Sequence, residues 1–476
     1  MITRLTAQDA SFYFLEGGST PMHGGSLAVF SRPRGGFEYE TLLRVVEQRL
    51  CLVPRYRQKV REVVLGLARP VWVDDPDFDI EYHVRRSALP RPGTDEQLFD
   101  LVARLTSRPL DTTRPLWEMY LVEGLSRNRF AIFTKSHSAL VDGIDHRDIG
   151  HVVLDDAKAV PEQGEELWMP GPEPSATTLL AGAVGELIAR PAEGLGLVRK
   201  GFGDVASTVG GAVEAVENTA AVLRIATSRA PSNPLNRPIS RNRRFATART
   251  DLEAYRAIRR RYGGEINDVI LAVVAGALRN WLLSRGELVG EAARVRAMVP
   301  ISVYDQDDSS SAYDPSEDGS GYAEPSRKVS SFLIDLPVGE ANPVVRLSHV
   351  QHASAEFAKQ SRQVTAATMV RLSGFAPATL HAVGARAAST WSRRMFNLMV
   401  TNAPGPQAPR YLGGARMLEM YPVAPLLENQ SLGIALTSYD GHVYYGLNAD
   451  RDAMADVAVV ASLLRESLDE LADAAG

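Results

Sequence analysis

The residues best suited to acid–base chemistry lie together in one short segment, Lys135-Ser136-His137-Ser138-Ala139-Leu140-Val141-Asp142-Gly143. His137 supplies a titratable imidazole, and Asp142 and Gly143 supply a carboxylate and a turn glycine shortly after it. An imidazole near a carboxylate at the end of a strand can serve as a general base. A histidine before a turn can also be purely structural, so the segment alone leaves both interpretations open.

Other common site types lack their signatures in this chain. The sequence contains no GxxxxGK(S/T), GxGxxG, GxSxG or HExxH motif, which removes the usual support for nucleotide, serine-hydrolase and zinc-protease sites. The nine histidines are scattered, and the closest sets, His146 with His151 and His349 with His352, have no cysteine or carboxylate pattern typical of a metal site. We therefore expect no bound metal and no bound cofactor.

Composition and charge set the broad class of the protein. The chain has 476 residues, 45% of them hydrophobic and 23% charged, and is too long for one domain of typical size. Its formal net charge of -5 and pI of about 6.1 offer no global basic field to a nucleic acid. The single cysteine, Cys51, excludes an internal disulfide framework. Because the amino terminus shows no signal-peptide pattern, we expect a cytoplasmic protein.

The elements that must position His137 form a mixed α/β pattern. A strand predicted over residues 130–135 leads directly into the segment. Helices are predicted over residues 39–50, 98–105, 265–283 and 454–471. Near the carboxyl end, an apolar run from Leu432 to Tyr439, the pair Asp440-Gly441 and a second run to Leu447 predict a hairpin with a type I′ turn.

Changes in composition divide the chain into three parts. An α/β domain is predicted over residues 1–160 and a second over 239–476, with an acidic insertion near 305–325 that is also rich in serine and glycine. Between them lies a proline-bounded helical linker, 161–238. Its part from Ala176 to Ala230 is either a surface that touches lipid or a helical bridge packed on the two domains, and we favour the bridge. No run of about 18 uncharged apolar residues occurs, so we expect no bilayer-spanning helix.

A series of motifs runs almost from end to end of the chain. The first half contains Leu5-Thr-Ala-Gln-Asp9, Pro21-Met22-His23, Pro70-Val-Trp72-Val-Asp74-Asp75, His83, Arg114-Pro115-Leu116-Trp117-Glu118 and the His137 segment. The second half contains Asn267-Asp268, Asn397-Leu-Met-Val-Thr-Asn402-Ala-Pro404-Gly405-Pro406 and Ser438-Tyr439-Asp440-Gly441. In these motifs, their order and their spacing, the sequence resembles the bacterial wax ester synthase/acyl-CoA:diacylglycerol acyltransferases, notably the actinobacterial triacylglycerol synthases.

The resemblance implies a fold and an activity. The fold is α/β (α+β), with two chloramphenicol-acetyltransferase-like domains joined by a helical linker around a central tunnel. There, acyl-CoA gives its fatty acyl group to the hydroxyl of diacylglycerol or a long-chain alcohol, which yields triacylglycerol or wax ester without a metal or a covalent enzyme intermediate. A base must take the hydroxyl proton. Since the substrates are lipids, the resemblance implies peripheral contact with a membrane or lipid droplet.

One position departs from the family motif, HHxxxDG, whose second histidine is the general base. Aligned on Asp142 and Gly143, this chain has His137 at the first histidine and Ser138 at the second. A serine hydroxyl, unlike an imidazole, cannot accept an additional proton at neutral pH. Loss of a positioned base typically lowers the rate by a factor of about 10² to 10⁴. We therefore expect a slow transferase, a rearranged base, or a non-catalytic acyl-lipid or acyl-CoA binding protein on the same scaffold.

The substitute bases are His137 and His146. Strand alternation places positions 137 and 138 on opposite faces, so His137 would face away from the tunnel unless the strand bends. His146 is more simply a solvated residue after the turn.

The resemblance also suggests roles for residues around the base. Asp142 is expected to orient and stabilise the motif by pairing with an arginine, and Gly143 to allow close backbone approach. Asn402 would donate a hydrogen bond near the thioester or cap the turn that follows it. Asn267 and Asp268 would line the tunnel or cap the long helix behind them, and we favour the cap.

Overall fold

The frame of the structure is a pair of six-stranded β-sheets covered by helices. It is a computed structural model that describes residues 3–63, 68–141, 148–158, 168–179, 181, 230–303, 328–363 and 395–475. The predicted acidic insertion, most of the predicted linker and the motif residues Asp142, Gly143 and His146 lie outside the described residues.

The strands are numbered along the chain. They are β1 (Thr3–Arg4), β2 (His23–Ser31), β3 (Gln58–Arg61), β4 (Val71–Asp74), β5 (Val84–Ala88), β6 (Trp117–Leu125), β7 (Arg129–His137), β8 (Arg243–Asp251), β9 (Val295–Val303), β10 (Lys328–Leu336), β11 (Leu398–Ala403), β12 (Tyr411–Leu412), β13 (Ala415–Val423), β14 (Leu432–Tyr439) and β15 (His442–Asp450).

The helices are numbered in the same way. They are α1 (Ala7–Leu15), α2 (Tyr39–Arg49), α3 (Ile80–His83), α4 (Asp95–Thr106), α5 (Ser138–Val141), α6 (Ile149–Val152), α7 (Leu252–Tyr262), α8 (Ile266–Ser284), α9 (Pro343–Gln363) and α10 (Val457–Ala475). Two short 3-10 turns, Leu50–Leu52 and Pro54–Arg57, follow α2.

The first sheet has the order β12-β13-β2-β7-β6-β5 and carries His137 at the end of β7. Neighbouring strands in it are antiparallel except the parallel pair β5–β6. Every residue of β7 is buried, which is why its sequence runs almost without polar alternation from Phe130 to Phe133. The pairing of β2 with β7 continues without a bulge to His23 and His137, so the strand that positions the segment stays regular to its last residue.

Helix α4 packs beside this sheet, and its sequence specifies both ends. Thr94 is the N-cap: its hydroxyl accepts from the backbone N–H of Gln97 at 3.3 Å, and the Gln97 side chain accepts from the N–H of Thr94 at 2.9 Å. Leu98, Leu101, Val102 and Leu105 form its buried face at helical spacing. The helix ends at Thr106, whose carbonyl bonds the His23 ring.

The second sheet has the order β10-β9-β11-β14-β15-β8, with β11 parallel to both of its neighbours. Helix α8 lies in its core, where thirteen of its residues are buried. Within the part of the chain that the structure describes, α8 is the one helix long and apolar enough to cross a bilayer, but 72% of that stretch is buried inside the protein. It is therefore explained as a core helix.

The second half of the chain contributes a strand to the first sheet. β13 pairs with β2 from Val423 opposite Gly25 to Met417 opposite Phe30, with one irregularity near Met417. Where β13 passes β15, a Cβ added to Gly446 would lie 1.8 Å from the carbonyl oxygen of Pro422. Only glycine fits such an approach.

Polar side chains of the second sheet hold β13 in place. The hydroxyls of Tyr439 and Tyr444 donate to the carbonyl oxygens of Met417 and Leu418 at 3.0 and 3.1 Å. The amide of Asn448 donates to the carbonyl of Ala424 at 2.7 Å. The predicted division of the chain at residues 160 and 239 did not include this strand, which the second half contributes to the first sheet.

Most elements predicted from periodicity are confirmed. The predicted helices at 39–50, 98–105, 265–283 and 454–471 correspond to α2, α4, α8 and α10, and the strand at 130–135 corresponds to β7. The predicted hairpin is β14 and β15, and Asp440 and Gly441 have φ values of 44° and 78°, as a type I′ turn requires. The predicted α/β class is confirmed.

Candidate functional site

The backbone at the end of β7 fixes His137 and Ser138 on both sides. The N–H of His137 donates to the carbonyl of Leu116 at 3.0 Å, and the N–H of Ser138 donates to the carbonyl of Met22 at 2.8 Å. Ser138 is then the first residue of α5. The candidate base and its neighbour therefore lie at a strand-to-helix junction held by main-chain hydrogen bonds.

The His137 side chain is fully buried, and of its two ring nitrogens only Nδ1 makes a hydrogen bond. Its Nδ1 accepts a hydrogen bond from the N–H of Ala139 at 3.0 Å. Because a backbone N–H can only donate, a neutral His137 carries its proton on Nε2, which lies 3.5 Å from Oε2 of Glu16. The one lone pair of a neutral His137 ring is therefore used by the N–H of Ala139, which ties the side chain to the start of α5.

Ser138 is the residue that the sequence analysis aligned with the second histidine of the HHxxxDG motif. Its side chain is buried, with 7% of the residue exposed, and its hydroxyl makes no hydrogen bond to any residue within the described ranges. Asp142 and Gly143, which complete the motif, are outside those ranges. The structure thus places a small hydroxyl, not an imidazole, at the first residue of α5.

A charged cluster that sequence inspection missed lies on the same strand as His137. Lys135 is 1% exposed, and its Nζ lies 3.0 Å from Oε2 of Glu118 and donates to the carbonyl of Arg108 at 2.8 Å. Burial lowers the pKa of Lys135, while Glu118 acts in the opposite direction. A lysine two residues after the apolar run Phe130–Phe133 of a buried strand was the available signal, since a buried lysine must be paired.

His23 lies opposite His137 on β2, and one of its ring nitrogens makes no hydrogen bond. Its Nε2 bonds the carbonyl of Thr106 at 2.9 Å, and its Nδ1 is buried without a hydrogen bond. Burial, with Lys135 as the next contribution, lowers the pKa of His23 well below its usual value. His23 is therefore neutral at physiological pH.

A second buried network lies around Ser136. The hydroxyls of Tyr56 and Ser136 donate to Oδ1 of Asp148 at 3.2 and 3.5 Å, and the Tyr56 oxygen accepts from the N–H of Ile149 at 3.1 Å. Burial, followed by the carboxylate of Asp148, raises the pKa of Tyr56 well above its usual value. Because Asp148 also accepts from the N–H of Gly150 as the N-cap of α6, this network anchors the chain where it re-enters the core after the motif.

The structure brings together the two asparagines predicted in the second half. The amide of Asn402, on β11, donates to Oδ1 of Asn267, in the first turn of α8, at 3.4 Å. The N-cap of α8 is Glu265, whose N–H donates to Oδ2 of Asp268 at 2.9 Å. The cap interpretation thus describes Asp268, whereas Asn267 lies inside the helix and is free to meet Asn402.

The two halves of the chain meet close to His137. Arg243, at the start of β8, donates to the carbonyl of Ser19 at 2.5 Å, and its N–H donates to the hydroxyl of Ser107 after α4. Its guanidinium lies 3.8 Å from Asp450, and burial lowers its pKa to about 10. Ser19 follows Glu16 by three residues, so Arg243 ties the loop that faces His137 to the second sheet.

Among the residues that the structure describes, no group of three or more histidine, cysteine, aspartate or glutamate side chains is arranged to hold a metal ion. What the described geometry offers is a buried strand end with one paired histidine and one unpaired hydroxyl, and an asparagine pair on the second sheet.

Family models match both halves of the chain. The model of the wax ester synthase/diacylglycerol acyltransferase catalytic domain matches residues 5–270, and that of the C-terminal domain matches residues 327–472. The chain is 54% identical over 263 residues to the probable diacylglycerol O-acyltransferase tgs3 of Mycobacterium tuberculosis, covering 55% of this chain and 97% of that one. It is 32% identical over 451 residues to tgs1 of the same organism, covering 94% and 90%.

Solved structures agree with this match. The wax ester synthase/diacylglycerol acyltransferase from Marinobacter aquaeolei VT8 superposes with a TM-score of 0.70 and 26% identity over the whole of both chains. The condensation domains of rhizomide synthetase and of the calcium-dependent antibiotic synthetase share the fold alone, with TM-scores of 0.52 to 0.55 and 13 to 16% identity. The resemblance and the predicted acyltransferase fold are confirmed, and the chain belongs to the wax ester synthase/diacylglycerol acyltransferase family.

Proposed function

We propose that the protein transfers a fatty acyl group from acyl-CoA to the hydroxyl of diacylglycerol or a long-chain alcohol. The alcohol oxygen attacks the thioester carbonyl, the carbon–sulfur bond breaks, and the alcohol proton ends on the sulfur of the released CoA. The products are triacylglycerol or wax ester. The observation that carries this proposal is the match of catalytic and C-terminal family models along both halves of one chain. The relatives named as diacylglycerol O-acyltransferases support the same acceptor.

The fate of the proton distinguishes this protein from the family pattern. The Nδ1 lone pair of His137 is already accepting from Ala139, and Ser138 offers only a hydroxyl. Neither group, as placed, presents a basic lone pair to the hydroxyl of the acceptor. We therefore expect transfer to be slow, with the proton leaving through water rather than through a positioned imidazole.

The test measures release of the CoA thiol from acyl-CoA in the presence of diacylglycerol or hexadecanol. Wild type should exceed a no-protein control, and Ser138→His should raise the rate by about 10² to 10⁴, the usual contribution of a general base. Ser462→His, on α10 and outside the site, is the matched control and should leave the rate unchanged.

His137 variants separate a structural role from a catalytic one. Asparagine at 137 keeps an oxygen that can accept the N–H of Ala139, as at helix N-caps, whereas alanine does not. If His137 is structural, His137→Asn retains the wild-type rate. Loss of turnover in a folded His137→Asn protein would instead identify His137 as the base.

The alternative function is acyl-CoA or acyl-lipid binding without transfer. It would be established if neither wild type nor Ser138→His released thiol while both bound acyl-CoA with the same affinity. Activity that appears only in Ser138→His would show an intact scaffold that has lost its base.

The proposal includes a cytoplasmic location with peripheral contact to a membrane or lipid droplet, because the acceptors are lipids. The surface predicted for this contact, Ala176 to Ala230, lies almost wholly outside the described residues. Flotation of the purified protein with vesicles tests the contact. Replacing the apolar residues of that segment by serine should abolish flotation, and unchanged flotation would exclude this segment as the contact surface.

A further inference from the structure

A cavity of about 550 Å³ lies between the end of α7 and the beginning of α8, away from His137 in the sequence. It is lined by three arginines, a pair of glycines and one apolar residue: Arg256, Arg259, Arg260, Gly263, Gly264 and Ile266. None of these six residues belongs to the motifs that the chain shares with the family. A cavity whose charged lining is all of one sign is suited to an anionic ligand.

The three arginines outnumber the acidic side chains of α7 that pair with them. All three arginines are exposed, and the single acidic side chain of α7, Glu253, is shared between Arg256 at 3.5 Å and Arg260 at 2.7 Å. The Arg259 guanidinium has no partner among the described residues. Exposed pairs of this kind contribute little energy and exchange readily for another anion. The local excess of positive charge stands out in a chain whose net charge is -5.

The helix dipole of α7 does not account for this arrangement by itself. Basic residues in a last helical turn complement the carbonyls there, which explains one or two arginines. The amino-terminal end of α8, on the other side of the cavity, is capped by the carboxylates of Glu265 and Asp268, which offset its positive dipole. The positive charge of the cavity therefore comes from the three arginines of α7.

The floor of the cavity is a fixed turn. Gly263 and Gly264 have φ values of 75° and 77°, a region that favours glycine. The amide of Gln351, on α9, donates to the carbonyl of Gly263 at 2.9 Å, and a Cβ on Gly264 would lie 2.7 Å from that amide nitrogen. The chain thus approaches α9 without side chains, which leaves the arginines as the walls.

The cavity adjoins the asparagine pair of the second sheet. Ile266 lines it, and the next residue, Asn267, accepts the hydrogen bond from Asn402. A ligand held by the arginines could therefore extend past the start of α8 toward a family motif. Coenzyme A is a ligand of suitable chemistry, because its phosphomonoester and diphosphate lie far from its thioester.

We infer that the cavity lined by Arg256, Arg259 and Arg260 binds phosphate groups, and that in the proposed reaction these are the phosphates of acyl-CoA. Guanidinium groups bind phosphate oxygens through charge-assisted hydrogen bonds, often two at a time. The identity of the ligand rests on the proposed function, whereas the phosphate chemistry rests on the cavity alone. An anionic lipid headgroup presents the same chemistry and is the competing source.

The test is calorimetric titration of the full chain with CoA and with dephospho-CoA, and flotation with phosphatidylglycerol or phosphatidylcholine vesicles. The variant is Arg256→Gln/Arg259→Gln/Arg260→Gln. The control is Arg44→Gln/Arg451→Gln/Arg465→Gln, which removes three exposed arginines elsewhere. For the cavity variant we expect the Kd for CoA to rise at least about tenfold and to lose most of its salt dependence, with no change in the control.

The outcomes separate the site from the reaction. Weaker CoA binding in the cavity variant, with a raised KM for acyl-CoA and unchanged kcat, sustains both. Weaker CoA binding in a protein without transferase activity sustains the site and contradicts the proposed function. Weaker binding to phosphatidylglycerol vesicles alone sustains the phosphate site and assigns it to lipid. Unchanged affinity for CoA and for both vesicles overturns the inference.

Discussion

The imidazole of His137 shows what a motif can and cannot predict for a single residue. The aligned motif located His137 and Ser138 correctly at the end of a strand, and strand alternation predicted that they differ in orientation. The partners of the ring were not predictable, because Glu16 and Ala139 reach it through a helix end and a turn whose geometry no local pattern specifies. The same holds for Lys135, whose partner Glu118 lies on another strand.

His83 gives a prediction for stability at the residue scale. It is fully buried between the rings of Phe78 and Trp117, with centroids at 5.3 and 4.7 Å, and its Nδ1–H donates to the carbonyl of Trp117 at 2.8 Å. Its Nε2 has no partner, and burial lowers its pKa to about 4. The folded protein therefore holds His83 neutral, whereas the unfolded chain protonates it below its usual pKa of about 6.5.

The free energy of unfolding is expected to fall in acid because of His83. Above about pH 6.5, His83 is neutral in both the folded and the unfolded state, so its contribution to the free energy of unfolding is constant. As the pH falls toward 4, only the unfolded state gains the proton. The free energy of unfolding therefore falls by up to about 3 kcal/mol. Denaturant unfolding of wild type, His83→Gln and the exposed control His352→Gln should show a smaller loss between pH 6.5 and 4 in His83→Gln alone. Parallel curves for all three proteins would contradict the assignment.

At the scale of elements, local patterns predicted the existence of strands but not all of their partners. The β14–β15 hairpin was predictable because Asp440-Gly441 fixes both the turn and the register. β13 has no such local partner: the alternating residues of Ala415–Val423 are compatible with either sheet, and its pairing with β2 depends on contacts almost 400 residues apart in the chain.

The crossing of β13 over β15 predicts a large effect of one methyl group. In Gly446→Ala the new Cβ would overlap the carbonyl oxygen of Pro422, so the strands must separate, and we expect a loss of about 3 kcal/mol or more in the free energy of unfolding. Gly290→Ala is the control, since a Cβ there meets nothing within 4 Å. Equal midpoints of denaturant unfolding for the two variants would show that β13 does not pass β15 this closely.

At the scale of the whole molecule, composition predicted two α/β regions and the resemblance predicted their common fold. The contacts that couple the two regions could not be predicted from the sequence, because each of them joins residues far apart in the chain. Arg243 joins the second sheet to the loop after α1, and β13 completes the first sheet with residues from the second half. The halves are therefore expected to unfold in one transition.

A fragment tests this coupling. Residues 1–240 lack β13, so β2 becomes an unpaired edge with an exposed row of N–H and C=O groups. We expect the fragment alone to aggregate or to be cleaved rapidly by protease, and co-expression with residues 241–476 to restore a protease-resistant complex. A soluble, protease-resistant fragment with cooperative unfolding would show that the first sheet is stable without the exchanged strand.

The exchanged strand also sets the order of events during synthesis. Translation proceeds at about 5–20 residues per second, so the roughly 290 residues between the end of β7 and the end of β13 take about 15 to 60 s to emerge. During that time the nascent chain displays the open edge of β2, with Leu27, Val29 and Phe30 in its strand. A ribosome-bound chain of this protein thus has a defined, strand-shaped surface for a chaperone, which exists only until β13 has emerged from the ribosome and paired with β2.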